Sequence, residues 1–325
     1  MPPTAGRTEG DAAQMTRPLQ VGVYLLPWTG GMAGETPRWS DVLAMARATE
    51  DAGFDSLWVS DHFMHEIDGH PDQGPWEGWS NLAALAAVTS RVTLGTNVLA
   101  TSFRNPALLA KMADTVDEIS GGRLILGIGA GWHEPEYRQM GLPFDHRVSR
   151  FEEAIQIIHW LLRHGEIDFK GRYYTARECE LRPRGPRPHG PPIMVGTRGL
   201  RMMRITARYA DYWNVAWPSR AERALPALAA FDEACADAGR DPATIVRTAG
   251  VMVDIAGDYP HRGHDWVTQL RARVDPLTGS PQEIAEELRT YAAAGVGHVQ
   301  VWIDPLTPAG IEAFAPVLEA LDATH

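Results

Sequence analysis

The stretch SLWVSDHFMH, residues 56–65, sets Leu57, Trp58 and Val59 in an unbroken apolar run and then stops on Asp61 and His62. A short run of this kind reads as a strand buried on both faces, as in a parallel sheet covered by helices. In folds built from such strands, chemistry is carried at their carboxyl ends, where this polar pair falls.

Working outward from that strand, similar runs recur at 20–27, 92–99, 124–130, 192–197, 212–217, 246–256 and 299–304, which makes eight in all. The segments between them carry apolar residues every three or four positions, the helical period. Residues 39–51 open beside Ser40 and Asp41, which can accept hydrogen bonds from first-turn amides, and stop before Gly53. Residues 81–89 place Leu82, Leu85, Ala86 and Thr89 on one face, and 106–119 begin on Pro106 and close on Gly121 and Gly122. Residues 151–162 repeat Phe151, Ala154, Ile155, Ile158, Leu161 and Leu162, and Ser280-Pro281-Gln282-Glu283 starts a helix that ends at Gly295.

Eight βα units predict a closed (β/α)8 TIM barrel, with an open doubly wound sheet as the competing topology. Residues 165–191, rich in Arg, Pro and Gly, are too long for an ordinary connection and read as an insertion between strand 4 and strand 5. A chain of 325 residues is within the range of one barrel, so 18–325 form a single domain behind a disordered leader at 1–17.

The 44% hydrophobic and 22% charged content are those of a soluble globular chain. A formal charge of −11 argues against nucleic-acid binding, which needs clustered Lys and Arg. Two cysteines, Cys179 and Cys235, are too few for a disulfide framework and lack zinc spacing, so they read as structural thiols of a cytoplasmic protein. No apolar run approaches the ~20 residues that cross a bilayer.

Several strand ends bring unusual residues to one mouth: Asp61 and His62, Thr96 and Asn97, Gly127-Ile128-Gly129-Ala130-Gly131, and Gly196-Thr197-Arg198-Gly199. A histidine at a partly apolar rim can trade a proton. Glycines ahead of a helix expose its first N–H groups to a phosphate, and Arg198 adds a charge able to pair with phosphate oxygens. Asp61, His62, His65, Asp68 and His70 lie in one stretch, but barrel hydrolases spread metal ligands over several strand ends, so no metal site is expected.

With these positions assembled, the runs LWVSDHF (57–63), LAALAAVTSRVTLGTNVLATSFRNPALLAKMADTVDEISGGRLILGIGAGWHEPEY (82–137) and PPIMVGTRGLRMMRITARYADYWN (191–214) resemble the luciferase-like monooxygenase superfamily, and within it the branch of coenzyme F420 (deazaflavin) oxidoreductases. The resemblance covers roughly residues 19–320. It implies a barrel that binds a deazaflavin, or FMN as the alternative, at the carboxyl mouth. It also implies a bulge in strand 3 with a non-proline cis peptide at Asn97 and Val98, backing the central ring.

By the same resemblance Gly129, Ala130 and Gly131 pass close to the cofactor tail, and Gly196, Thr197, Arg198 and Gly199 hold its phosphate. His62 takes the substrate proton as hydride leaves, with Asp61 beside the ring setting its orientation or charge. The glutamate that related sugar-phosphate dehydrogenases carry after the strand 4 glycines is replaced here by Trp132, leaving Glu134 and Glu136 as displaced candidates. Trp28, Phe63, Trp76, Trp79 and Trp217 are candidate apolar walls. The expected activity is reversible hydride transfer between C5 of the deazaflavin and a small organic substrate, in a homodimer with no nucleic-acid or membrane partner. An FMN-dependent monooxygenase using oxygen and a non-catalytic flavin-binding barrel are the alternatives.

Overall fold

The computed structural model describes residues 17–32, 35–66, 73–255 and 274–323. The expected leader, apart from Arg17, lies outside the described residues, as do Asp68 and His70.

The strands are β1 (Gln20–Leu25), β2 (Ser56–Val59), β3 (Thr93–Thr96), β4 (Leu99–Ala100), β5 (Leu124–Gly129), β6 (Glu166–Lys170), β7 (Thr175–Glu180), β8 (Ile193–Gly196), β9 (Tyr212–Asn214), β10 (Val246–Asp254) and β11 (His298–Asp304). Nine of them form one parallel sheet in the order β3-β2-β1-β11-β10-β9-β8-β5-β4. Pairing of Leu94 and Gly95 on β3 with Leu124 and Ile125 on β5 closes the ring. Because β3 and β4 are two pieces of the third strand, the ring has eight positions, and the fold is a (β/α)8 TIM barrel. The doubly wound alternative falls because β3, at one end of that order, also pairs with β5 at the other side of the ring.

Each of the eight predicted strands has its counterpart. The largest difference is the third, expected as one run over 92–99, which breaks between Thr96 and Leu99 around a cis peptide joining Asn97 and Val98.

Packing inside the ring explains why glycine occupies strand positions. Trp58 on β2 is fully buried, and its register neighbours are Tyr24 and Gly95. A Cβ on Gly95 would lie 2.2 Å from the Trp58 ring, so the missing side chain is the space the indole fills. Below it, Trp58 Nε1 donates to Ser56 Oγ at 2.7 Å, which in turn meets His298 Nε2 at 2.7 Å. Burial pushes His298 down to about 3, so the ring is neutral and fits a closed interior.

The helices α1 (Trp39–Asp51), α2 (Gly78–Val88), α3 (Pro106–Ser120), α4 (Glu134–Met140), α5 (Arg147–His164), α6 (Leu200–Tyr209) and α7 (Ala221–Asp237), with Pro281–Ala293, Pro308–Glu312 and Ala315–Asp322, follow the expected segments or fall between them. Helix α2 begins three residues before the predicted start because Glu77 accepts hydrogen bonds from Trp79 N at 3.1 Å and Ser80 N at 2.7 Å. At the start of α1, of the two residues read as acceptors, Ser40 and Asp41, it is Asp41 that accepts, from the Arg38 amide at 2.7 Å. The predicted Ser280 and Glu283 capping box is present, with bonds of 3.3 and 2.8 Å.

The insertion is an antiparallel hairpin of β6 and β7 followed by an irregular return. Arg187 Nε donates to Asp117 at 2.9 Å and Lys111 Nζ to the Arg182 carbonyl at 2.7 Å, fixing that return to α3.

Substitution Gly95→Ala is expected to cost about 1–3 kcal/mol, because backbone and indole must both shift to admit the methyl group. Gly199→Ala, where a Cβ meets nothing within 4 Å, is expected to stay within about 0.5 kcal/mol of the parent. Urea denaturation of the two variants beside the parent checks both values.

Candidate active site

The break in the third strand removes ladder partners from buried peptide groups, and side chains at the mouth replace them. Tyr24 Oη donates to the Asn97 carbonyl at 3.0 Å, while the Asn97 amide still reaches Val59 O at 2.9 Å. Burial pushes the Tyr24 phenol up, which keeps it a donor. Thr96 is fully buried, and its hydroxyl both donates to Gly127 O at 2.7 Å and accepts from Gly127 N at 3.0 Å. Its side chain therefore stitches the third strand to β5.

Asp61 completes the repair. Its carboxylate accepts the Ala100 amide at 3.0 Å and two bonds from the Arg104 guanidinium at 2.8 and 2.9 Å. Arg104 also donates to Glu77 at 2.5 Å, so this cation joins β2, β4 and the start of α2. Burial pushes the Asp61 carboxyl up, against the Arg104 and Ala100 bonds that pull it down. Arg104, despite its own burial, is held above its ordinary value by Asp61 and Glu77.

The expectation that Asp61 orients His62 is therefore corrected. His62 Nδ1 lies 3.1 and 3.2 Å from the two carboxylate oxygens of Glu136, which is buried on α4 and also accepts the Phe63 amide at 3.0 Å. Asp61 is already filled by Arg104 and Ala100. A carboxylate can only accept, so Nδ1 of a neutral His62 carries the hydrogen and Nε2 keeps the lone pair. The His62 side chain is 19% exposed, so part of the imidazole reaches the surface of the mouth.

Around His62 stand Trp28, His65 and Trp132, with ring centroids at 5.7, 5.9 and 5.7 Å. His65 also lies 4.7 Å from His133, and burial with these neighbouring rings pushes it down to about 4. Among the described residues no group of three or more His, Cys, Asp or Glu has an arrangement that could hold a metal ion.

Of the candidate walls, Trp217 lies 5.4 Å from Tyr24 inside the mouth and Phe63 stacks on Phe103 at 4.5 Å. Trp79 is buried in α2, and Trp76 is half exposed with Nε1 bonded to Pro37 O at 2.7 Å.

The second half of the mouth is shaped by missing side chains. Val98 sits between β5 and β8: a Cβ on Gly129 would lie 2.8 Å from it and one on Gly196 3.1 Å. Gly131 has φ +71°, and a Cβ there would come within 1.8 Å of Tyr137 Oη, so no other residue fits. Ala130 O lies 3.4 Å from the same phenol. Thr197 Oγ1 accepts the Gly199 amide at 3.3 Å, Gly199 precedes the first turn of α6, and Arg198 is exposed. Arg147 Nη1 donates to the Gly131 carbonyl at 2.5 Å.

Sequence reasoning missed Arg104 and Tyr24, and gave Glu136 no link to His62. For Arg104 a signal existed: a lone cation directly before the Asn105-Pro106 helix start, in a run with no neighbouring acid to hold it at the surface.

A parallel eight-stranded barrel whose carboxyl mouth carries a His–Glu pair and glycine-rich strand ends defines a class of barrel enzymes. The chain belongs to the luciferase-like monooxygenase family, whose model matches residues 19–260. It is 35% identical over 179 residues to an F420-dependent glucose-6-phosphate dehydrogenase of Amycolatopsis mediterranei, covering 53% of this chain and 51% of that protein. The match thus spans about half the length of that relative. It is 36% identical over 284 residues to the phthiodiolone/phenolphthiodiolone dimycocerosates ketoreductase of Mycobacterium tuberculosis, covering 78% of this chain and 69% of the relative. Among solved structures, an F420-dependent secondary alcohol dehydrogenase in complex with an F420-acetone adduct superposes with a TM-score of 0.76 at 22% identity, over 93% of this chain and 99% of the other, a likeness of fold. Among the described residues, no helix is long and apolar enough to cross a membrane.

Substitution Arg104→Met would leave Asp61 buried without its cation and should cost about 3–5 kcal/mol at pH 7. The Asp61 carboxyl, already raised by burial, would rise further, so the folded state binds more protons than the unfolded one. Stability of the variant then falls as pH rises from the unfolded value, about 4, through the folded one. The deficit relative to the parent is expected to shrink as pH is lowered from 7 toward about 4, measured by urea denaturation across that range.

Proposed function

We propose that the chain is a coenzyme F420-dependent oxidoreductase that moves a hydride between the deazaflavin and a small organic substrate, with His62 as proton partner. The observation that carries this reading is the His62–Glu136 pair at the carboxyl mouth, beside strand ends that only glycine can occupy. The fit of a flat ring with an anionic tail is supported by the close packing of Val98 on Gly129 and Gly196, and of Tyr137 on Gly131, which bars side chains there; the ring would rest on Val98, with the backbone at Gly129, Ala130 and Gly131 near its tail. Thr197, Arg198, Gly199 and the first-turn amides of α6 would hold the phosphate, as exposed helix-start amides do. The F420-dependent relatives named above support the choice of cofactor.

When bound, the deazaflavin supplies the centre that takes or gives a hydride. The chain's own part is to move the proton that accompanies it. For an alcohol substrate, the hydroxyl proton passes to Nε2 of His62 while Nδ1–H stays bonded to Glu136, and the imidazolium so formed rests against that carboxylate. In the reverse direction the same Nε2–H is donated to a carbonyl oxygen. Glu136 is thus a positioning residue: it selects the tautomer and favours the charged ring once the proton arrives.

The monooxygenase description of the family favours a second reading, with FMN in the same cleft. Fluorescence titration separates the two: the purified protein is expected to bind F420 more tightly than FMN, and equal or inverted affinities would defeat the assignment. His62→Asn should abolish turnover and leave F420 affinity within a few-fold; joint loss of both would indicate a binding role alone.

Glu136→Gln should lower turnover by roughly 10²-fold or more with cofactor affinity little changed. In ring-nitrogen NMR the parent should show His62 as the Nδ1–H tautomer and the variant a mixture. A pure Nδ1–H signal in both would remove Glu136 from the scheme.

A further inference from the structure

We propose that the aromatic wall formed around His62 by Trp28, His65 and Trp132 is the subsite for the reacting molecule, and that it selects a neutral, largely apolar alcohol or carbonyl compound over a phosphorylated sugar. This rests on the reading of the mouth as a hydride-transfer site with His62 as proton partner.

The wall is continuous. Trp28 and Trp132 each approach both histidines: they stand 5.7 Å from His62, and 5.5 and 5.4 Å from His65. Trp132 is 60% exposed although it is the largest apolar side chain type, whereas Trp28 on the opposite side is 6% exposed. The exposed indole meets edge-on the same imidazole whose Nδ1 is bonded to Glu136. A substrate whose oxygen meets His62 Nε2 would cover apolar ring surface with the rest of its body, which favours a hydrocarbon or aromatic body over a hydrated one.

The charges nearby point the same way. At neutral pH His65 is uncharged, consistent with its depressed value of about 4. The cations near the wall point elsewhere: Arg104 is bonded to Asp61 and Glu77, Arg147 to the Gly131 carbonyl, and the exposed Arg138 lies 3.9 Å from Glu66. Glu136, behind His62, is the nearest buried carboxylate, and its bonds go to His62 and Phe63. A phosphate placed against this wall would lose water against indole and imidazole surface, and such desolvation is unfavourable.

The test uses the whole protein, as purified and loaded with F420, and reads binding as well as turnover. Acetophenone, 1-phenylethanol and glucose 6-phosphate are the probes, followed by ligand-observed saturation-transfer NMR and calorimetry. The two neutral compounds are expected to bind and glucose 6-phosphate to bind at least tenfold more weakly. Trp132→Ala should weaken acetophenone by about threefold to tenfold, and Trp132→Phe should restore most of the loss. Equal binding of the sugar phosphate, or acetophenone binding indifferent to Trp132, would overturn the proposal. So would a Trp132→Ala variant that loses F420 and keeps acetophenone, since the wall would then belong to the cofactor. If F420 fails to bind while acetophenone binds in a Trp132-dependent way, the subsite stands and the functional reading falls.

Discussion

The peptide groups between Thr96 and Ala100 cannot be served by a continuous ladder, and how they are served shapes the whole mouth of the barrel. A buried backbone group without a partner costs roughly as much as a strong side-chain contact contributes, so the gap had to be closed by something. Three side chains close it from three strands: Tyr24 on β1, Asp61 after β2, and Thr96 toward β5. Each thereby gives up freedom to do anything else. Asp61 brings a charge into a buried place, and that charge requires Arg104, which in turn holds Glu77 and the start of α2. One interruption thus fixes four elements of the ring relative to one another.

This chain of consequences separates structure from chemistry at two adjacent residues. Asp61 and His62 are neighbours in sequence and look like a functional pair. Asp61 turns inward to the backbone of the third strand, and His62 turns to α4, where Glu136 waits from 74 residues away. Were Asp61 to orient His62 as well, it would have to release either the Ala100 amide or an Arg104 bond, both of them buried. The division of labour follows from that competition.

Much of the architecture was legible in the chain. The strands were readable because a strand buried on both faces must be apolar at nearly every position, as in 124–126 and 193–195, and because Gly121, Gly165 and Gly295 punctuate the helices between them. Caps were less legible: Glu77 is an uncommon cap residue, and nothing local distinguishes it from a surface acid. The pairing of His62 with Glu136 and of Asp61 with Arg104 could not be read at all, because each joins segments whose proximity exists only once the ring has closed. Motif reading found the residues at the mouth; only the closed ring determines which of them bind each other.

The same closure explains why the mouth has two unlike halves. On the β5 and β8 side the backbone comes close and side chains are absent, since Val98 already occupies the space between Gly129 and Gly196. On the β2 side bulky rings crowd together over a buried carboxylate. In the proposed chemistry a planar group with an anionic tail would sit on the first half, beside the start of α6 and the exposed Arg198, and a body with little charge on the second, against Trp28, His65 and Trp132. A barrel can hold both because its strand ends are rigid and far apart in sequence, so each half is shaped by different segments without one constraining the other. The chemistry proposed for this chain uses that asymmetry: one half of the ring's mouth would hold the cofactor, and the other would select the substrate and move a proton.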